Sequence, residues 1–282
     1  MRISHCTTAA IVACACAALG GCHSVAPATS AGLDALLKPA AIRRDQVLLE
    51  IYQVRVPPER AAAAAATWSA VDEQFLEPEL RGRLLANGFR AGIVGRTMPD
   101  GLAKMLNLAD APAEADGEQV IDQQAANPQV VKQVKQLGSQ EELQAQVGPL
   151  QKSLQLLISD ETVHGKSYDQ AQTTYLVKGS SQAGQRVRLQ VTPELQHGDM
   201  RSRYTDSEQG MFMLTVSRER EPFPDLRIEA ELAPGDSLLL GGLADASGSL
   251  GDAFHGKNAA GETRLVLIRV AKVPESEILA EK

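Results

Sequence analysis

The sequence is poor in aromatic residues and contains no cluster of basic residues. Phe, Trp and Tyr make up 4% of the 282 residues, and the formal net charge is -7. A nucleic-acid surface needs a stripe of Lys and Arg, and none is visible along this chain. Strands that cross a membrane carry girdles of Trp and Tyr at both interfaces, which this composition does not supply. The sequence therefore excludes nucleic acid as a partner and argues against a membrane pore.

Cysteine and histidine are not arranged as metal ligands. All four cysteines lie in the first 22 residues, and the later histidines are isolated from one another and from cysteine. A zinc site usually shows closely spaced pairs of these residues in the sequence. We therefore predict no metal ion and no cofactor. The residues concerned are Cys6, Cys14, Cys16, Cys22, His23, His164, His197 and His255.

Sequence signatures of catalysis are also missing. Ser180-Ser181 lies in a predicted Gly-flanked turn and lacks the Gly-x-Ser-x-Gly elbow of a hydrolase. Gly241-Gly242 is not followed by the Lys-Ser/Thr pair of a phosphate loop. We therefore predict that the protein is not an enzyme.

Two acidic pairs leave one catalytic alternative open. Asp72-Glu73 and Asp160-Glu161 could supply the two carboxylates that a glycosidase uses, although such pairs are more often solvated. The second pair is followed by His164. An envelope hydrolase with its site at Asp160, Glu161 and His164 is therefore the least favoured of three functional hypotheses.

The first 22 residues have the pattern of a bacterial lipoprotein signal peptide. Arg2 is the only charged residue, an Ala-rich apolar stretch follows, and the segment ends Leu19-Gly20-Gly21-Cys22. The apolar stretch is too short for a permanent membrane-spanning helix. We expect cleavage after residue 21 and acylation of Cys22, with an ordinary secretory signal as the alternative. Because His23 replaces the Asp of inner-membrane retention, the periplasmic face of the outer membrane is favoured.

Residues 22–42, rich in Ala, Ser, Pro and Thr, are predicted to be a flexible tether, and residues 43–108 a small α+β domain. A strand over 42–56 ends at Pro57-Pro58, and a helix over 59–76 places Trp68 in the core. A helix over 79–86 ends at Asn87-Gly88, which favours a left-handed turn. A strand over 89–94 and a helix over 102–108 complete a strand-helix-helix-strand-helix unit.

Residues 109–128 are predicted to be a linker and residues 129–282 a mainly β domain. The stretch from 129 to 157 is the least certain, and helix is slightly favoured there because its leucines between 143 and 157 have helical spacing, despite interrupting Gly and Pro residues. From residue 169 onward the pattern changes to strands separated by turns. They are predicted at 173–177, 186–192, 211–217, 226–232, 237–240 and 264–270.

The stretch from Asp225 to Leu243 predicts a hairpin. Its first strand alternates apolar and charged residues, its turn is Pro234-Gly235-Asp236, and its second strand is a Leu run that ends at Gly241-Gly242. Alternation predicts one exposed face for the first strand, and the continuous apolar run predicts two buried faces for the second. The first strand could also pair with 186–192, placing Arg opposite Glu.

Several segments together resemble the closing part of the secretin domain of bacterial type II and type III secretion systems. They are LRIEAELAPGDSLLLGGL, continuing through SGSLGDAF to GETRLVLIRV, and RVRLQVTPELQHG and IRRDQVLLEIYQV. The resemblance implies an α+β fold with a mainly antiparallel secretin-like β domain. It departs from the family between residues 244 and 263, predicted to be a short Gly/Ala/Ser loop where a working secretin has a longer insertion. The resemblance therefore implies the fold without the channel.

Two non-enzymatic functions follow from this resemblance. The first is a lipid-anchored structural or assembly component related to secretion or pilus machinery, which forms homo-oligomers or binds secretion or pilus subunits. The second is a solitary envelope lipoprotein that uses the secretin-like β fold as a binding or surface module. Oligomerisation separates the two.

Overall fold

The computed structural model describes residues 46–106, 129–139, 141–206 and 212–274. The predicted signal peptide, Cys22, the tether and the predicted linker at 109–128 lie outside these residues. All described residues belong to one compact unit, Ile42–Lys282. None of its described helices has the length and hydropathy that a membrane crossing requires.

The described residues form mainly antiparallel β-structure with four short α-helices, which is compatible with the α+β class. The strands are β1 (Gln46–Val56), β2 (Phe89–Val94), β3 (Val130–Gly138), β4 (Leu143–Gln146), β5 (Gln151–Ser159), β6 (Val163–Gln182), β7 (Arg186–Asp206), β8 (Phe212–Pro222), β9 (Ile228–Leu232), β10 (Ser237–Gly242) and β11 (Thr263–Lys272). The helices are α1 (Ala61–Thr67), α2 (Pro78–Ala86), α3 (Asp100–Met105) and α4 (Leu250–His255).

The strands are arranged in two antiparallel sheets. Sheet 1 has five strands in the order β2-β10-β11-β1-β3. Sheet 2 has the strand order β4-β6-β7-β8, with β5 paired to β6 and β9 paired to β7. Strands β10 and β11, whose sequences are nearly continuous apolar runs, occupy interior positions in sheet 1.

Sheet 1 is covered on both faces. Along β1, Leu49 and Ile51 belong to a core shared with the inner face of sheet 2, where Leu189 lies. The alternate residue Val54 belongs to a second core with Trp68, which directly follows α1. Period-2 alternation of β1 thus sends its side chains into two separate apolar layers.

The strand pairing crosses the domain boundary that the sequence predicts. Strands β1 and β2 come from residues 43–108, and they pair in sheet 1 with β10, β11 and β3, which come from residues 129–282. The two segments therefore share one sheet and its cores rather than forming independent domains. The physical reason is that the Leu run of β10 needs cover on both faces and pairing on both edges, and β2 supplies one edge.

The predicted hairpin of β9 and β10 is wrong, although the exposure of each strand is confirmed. In β9, Ile228, Ala230 and Leu232 are buried while Glu229 and Glu231 are exposed, and β10 is buried from Ser237 to Gly241. The two strands nevertheless lie in different sheets, since β9 pairs with β7 and β10 pairs with β2 and β11. The turn between them therefore carries the chain from sheet 2 to sheet 1.

The slight preference for helix between residues 129 and 157 is also wrong. This stretch forms β3, β4 and β5. The predicted helical stripe would bury Leu150 and Leu157, but these are 42% and 53% exposed. Leu156 and Ile158 are buried instead, because pairing with β6 imposes a period of two.

Three further expectations are corrected by the fold. Residues 244–263 contain α4, whose first turn is capped by the Ser249 hydroxyl accepting from the Asp252 amide at 3.2 Å. Ser180 and Ser181 lie within β6 rather than in a turn. The helix predicted over 59–76 ends with a 3-10 turn at Trp68–Ala70, because Asp72 pairs its backbone with Ile93 of β2.

Other local predictions are confirmed. Trp68 is buried, β2 spans Phe89–Val94, and Gly88 ends α2 with a φ of 81°. The pairing of 186–192 with 226–232 is also found, with Arg188 directly opposite Glu231. Their side chains are 3.2 Å apart and about half exposed, so the ion pair contributes only a few tenths of a kcal/mol.

Candidate functional site

The turn at Pro234-Gly235-Asp236 joins the two sheets. Gly235 has a φ of 95°, which an L-residue with a side chain adopts only under strain. The Asp236 carboxylate accepts from the Ala233 amide at 2.9 Å, and the Gly235 amide donates to the Val270 carbonyl at 2.8 Å. The first bond closes the turn, and the second fastens it to β11.

The Gly pair that ends β10 allows close packing. A Cβ on Gly241 would lie 2.6 Å from Trp68 Cζ2 and 2.9 Å from Leu265 Cδ2. A Cβ on Gly242 would lie 2.9 Å from His255 Cβ. The absence of a side chain at Gly241 lets the indole of Trp68 pack against β10. The Arg90 guanidinium stacks on the same indole, 4.5 Å from the ring centroid.

Helix α4 is held to both sheets by a buried histidine. The His255 Nδ1 lies 3.0 Å from the Arg264 carbonyl, which can only accept. Nδ1 therefore carries the ring hydrogen and donates a hydrogen bond to this carbonyl. The Nε2 therefore accepts from the Tyr175 hydroxyl at 2.6 Å. Burial lowers the pKa of His255 to about 3, so the ring is neutral at physiological pH.

The Asn87 side chain fixes the end of β5. Its amide group accepts from the Ser159 amide at 2.9 Å and donates to the Ser159 carbonyl at 2.6 Å, as a paired strand would. Its backbone carbonyl accepts from the Gly251 amide of α4 at 2.7 Å. Asn87 is 1% exposed, so this residue is a structural junction as well as the end of α2.

The candidate catalytic groups do not converge on a cavity. Asp160 lies in the exposed turn between β5 and β6, and its Oδ1 is 3.6 Å from Nδ1 of His164, the second residue of β6. Glu161 lies in the same exposed turn. Glu73 forms a bidentate ion pair with Arg90, at 2.9 and 3.0 Å. Within the described residues, no group of three His, Cys, Asp or Glu side chains is placed to hold a metal ion.

Two long β-ribbons extend from sheet 2. Beyond His197, β7 pairs only with β8 among the described strands, and β8 is the last strand of its sheet. This β7–β8 ribbon exposes Met200, Leu214 and Val216 at 61%, 60% and 57%. The second ribbon joins β5 to the first part of β6 and exposes Leu157 and Val163. The β5 edge is partly covered, since the Leu157 amide donates to the Gly248 carbonyl at 2.8 Å. Exposed apolar residues beside an open strand edge, as on the β7–β8 ribbon, are typical of an interaction surface.

A shared carboxylate connects the two ribbons. Glu221 of β8 accepts from Lys166 Nζ at 2.7 Å and from the Tyr168 hydroxyl at 3.1 Å, both on β6. His197 Nε2 lies 3.6 Å from the same carboxylate. Burial and the neighbouring Glu221 raise the pKa of Tyr168. The ribbons are therefore held at a fixed crossing point and present their apolar residues elsewhere.

A second charged network lies on the outer face of sheet 2. The fully buried Glu194 carboxylate accepts from Arg220 Nε at 2.8 Å, and Arg220 also contacts Glu142 at 2.7 Å. Although burial opposes ionisation, hydrogen bonds from Arg220 and Lys178 lower the pKa of Glu142. Because each charged side chain in this network has an oppositely charged partner within it, we interpret the network as a structural element of the sheet.

Sequence reasoning missed the ribbons, the Asn87 junction and the Tyr175–His255 bond. Apolar residues recur from β5 to β8, but the length of each strand depends on pairing with a neighbour far along the chain. The two-residue Asn87-Gly88 signal identified the end of α2 without showing the contact with Ser159. No local spacing relates Tyr175 to His255, which are separated by 80 positions.

The fold and these contacts define a two-sheet, mainly antiparallel β protein with projecting ribbons. No protein-family model matches the chain, and no curated protein matches it significantly. Among solved structures, it is similar to the type II secretin GspD from enteropathogenic Escherichia coli, with 15% identity. That match covers 89% of this chain and 75% of the secretin chain, with a TM-score of 0.27.

Proposed function

We propose that the protein is a non-enzymatic structural or assembly component of the bacterial cell envelope, attached to the membrane through a lipid on Cys22. The observation that carries the proposal is the β7–β8 ribbon with its exposed Leu214 and Val216. The sequence resemblance to secretins supports the same class of function, related to secretion or pilus machinery but without a channel of its own.

The physical argument starts from the marginal stability of a two-stranded ribbon. An isolated hairpin in water gains too little from its own contacts, and a third strand or a packed layer normally stabilises it. Among the described strands, β8 pairs only with β7, so its outer edge can pair with a strand of another chain. Leu214 and Val216 lie on one face, since they are two residues apart, and would be covered by the same partner.

The partner that fits the outer edge of β8 is a second copy of this chain or a homologous envelope subunit. An exposed edge can accept an added strand through main-chain hydrogen bonds, and a second copy of β8 would also cover Leu214 and Val216 with its own apolar residues. A monomer would leave that face exposed, as the alternative function, a solitary lipoprotein with a surface module, requires. The two functions therefore differ in oligomeric state.

The test is the oligomeric state of the protein extracted in detergent, measured by light scattering and electron microscopy. We expect an oligomer for the wild type and a monomer for the double variant Leu214→Lys/Val216→Lys, because two buried ammonium groups would oppose pairing. The matched control is Leu85→Lys on α2, at a leucine that is 43% exposed and outside the ribbon. A wild type that stays monomeric at high concentration contradicts assembly and supports the solitary lipoprotein.

A further inference from the structure

The Asn87-Gly88 pair at the end of α2 is the only Asn-Gly dipeptide in the sequence. In such a pair the backbone nitrogen of the glycine can attack the side-chain carbonyl carbon of the asparagine, because glycine has no Cβ to hinder the approach. A new C–N bond closes a succinimide ring, the glycine nitrogen gives its proton to water, and the side-chain nitrogen takes a proton and leaves as ammonia. Water then opens the ring at one of its two carbonyls, which gives aspartate or isoaspartate.

The fold ties down the group that is attacked. Asn87 Nδ2 donates to the Arg83 carbonyl at 3.0 Å and to the Ser159 carbonyl at 2.6 Å, and Asn87 Oδ1 accepts from the Ser159 amide at 2.9 Å. For ammonia to leave, the carbonyl carbon must become tetrahedral and Nδ2 must give up both acceptors. Asn87 is also 1% exposed, so the water that opens the ring is kept away. The closed Asn87 junction therefore opposes each step of the reaction.

The attacking nitrogen is also engaged. The Gly88 amide donates to the Leu85 carbonyl at 3.0 Å, and the Gly88 carbonyl accepts from the Leu243 amide at 2.9 Å. A Cβ on Gly251 of α4 would overlap the Gly88 carbonyl group, so α4 lies directly against this glycine. Segments from α2, α4 and the residue after β10 thus hold Gly88, and the ring can close only after they separate.

Either product is incompatible with the closed junction. An aspartate carboxylate only accepts, so the Arg83 and Ser159 carbonyls would lose their donor, and a negative charge would replace a neutral side chain that is 1% exposed. Isoaspartate in addition lengthens the backbone by one carbon, and the packing of Gly88 against Gly251 leaves no space for the shift. A modified chain is therefore expected to lose the contacts that hold the end of β5.

We propose that Asn87 is a conditional deamidation site, which the closed junction protects and which reacts when the junction opens. Because the product cannot rebuild the junction, prolonged opening makes unfolding of this chain irreversible. In the folded protein the reaction rate is the rate in the open chain multiplied by the fraction of time that the junction is open. The inference does not depend on the assembly proposed above, because neither Leu214 nor Val216 belongs to the junction.

Peptide mapping by mass spectrometry tests the protection. The purified protein is incubated at pH 8 with and without guanidinium chloride, and the converted fraction of Asn87 is followed over time. We expect conversion to be at least about tenfold faster in denaturant. Asn258, which precedes an alanine, is the internal control and should react slowly in both samples. Equal rates for Asn87 with and without denaturant, or no conversion in denaturant, would overturn the proposal.

The Gly88→Ala variant checks the chemistry in the unfolded chain, so it does not need to fold. Its methyl group should slow the conversion of Asn87 in denaturant, because the reaction runs through attack by the nitrogen of residue 88. An unchanged rate would show that the amide is lost by direct hydrolysis, which contradicts the proposed route.

Refolding tests the irreversibility. Partly converted protein is diluted out of denaturant, and the folded fraction is isolated by size-exclusion chromatography and mapped again. We expect this fraction to be depleted in modified Asn87. The same time in denaturant at pH 5, where the glycine nitrogen rarely loses its proton, should leave refolding intact and is the control for aggregation. Equal proportions of modified Asn87 in the folded fraction and the starting mixture would overturn the claim that the product cannot rebuild the junction.

Discussion

The Tyr175 hydroxyl donates a hydrogen bond to His255 Nε2 across 2.6 Å in the interior, where the two residues are 0% and 1% exposed. Tyr175 belongs to β6 of sheet 2, and His255 ends α4, which packs against sheet 1. The other ring nitrogen of His255 donates to the Arg264 carbonyl of β11. This chain of two hydrogen bonds therefore connects the two sheets through one neutral imidazole.

Replacement of Tyr175 by Phe should destabilise the fold. The change removes the donor and leaves His255 Nε2 buried without a partner, which costs about 1–3 kcal/mol in the free energy of unfolding. Urea denaturation at pH 7 measures this difference. Tyr52→Phe is the control, because the Glu50 carboxylate that accepts from the Tyr52 hydroxyl keeps Lys132 and Arg269 as partners. Equal stability of the Tyr175→Phe variant and the wild type would show that the bond contributes nothing.

Acid should destabilise the protein through His255. The folded-state pKa of about 3 lies below the value of about 6.5 in an unfolded chain, so between these values the unfolded state binds a proton that the folded state does not. The contribution of His255 is therefore fully present above about pH 6.5 and is lost as the pH falls toward 3. The expected slope from this group approaches about 1.4 kcal/mol per pH unit.

The measurement is the free energy of unfolding from pH 7 to pH 4 for the wild type and for His255→Gln. Carboxylates titrate in both proteins, so the difference between the two slopes of unfolding free energy against pH gives the contribution of His255. We expect the variant to be less stable at pH 7 but to lose less stability on acidification. Parallel curves would contradict a buried, neutral His255.

Gly241 should not tolerate a side chain. Gly241→Ala places a methyl group 2.6 Å from Trp68 Cζ2, and the central position of β10 leaves the backbone little freedom to move. Overpacking of this kind costs about 1–3 kcal/mol. The shift in the fluorescence-monitored denaturation midpoint reports it directly, since Trp68 is the only tryptophan.

Gly82→Ala is the matched control for this substitution. Gly82 lies within α2, where a Cβ meets nothing within 4 Å. Alanine is favoured over glycine in a helix interior, so we expect a gain of up to about 1 kcal/mol. If the Gly241 and Gly82 variants gave the same change, close packing at Trp68 would not explain the glycine at the end of β10.

Lipid attachment should depend on Cys22 alone among the cysteines. Mass spectrometry of the mature protein should find an acylated cysteine as its first residue, and Cys22→Ser should abolish acylation and membrane association. Cys16→Ser is the control, because that residue lies in the segment expected to be removed. A mature N-terminus at any other, unmodified residue would exclude a lipoprotein.

Local features of the fold were predictable where residues carry their own signal. The alternation of β9, the end of α2 at Asn87-Gly88 and the unbroken apolar runs of β10 and β11 each reflect chemistry within a few residues. The stretch from 129 to 157 was not predictable in the same way. Its leucines fit a helix by spacing, and only pairing with β6 buries Leu156 and Ile158 and exposes Leu157.

For β1, β2 and the segments from residue 169 onward, the sequence by itself indicated strands and their buried faces, because side-chain hydrophobicity and its period are local properties. Only the tertiary structure decided that β9 and β10 enter different sheets and that the two predicted domains share sheet 1. Each of these depends on hydrogen bonds between strands far apart in the chain. Many registers satisfy the local pattern, and the one adopted is set by burying both faces of sheet 1 at once.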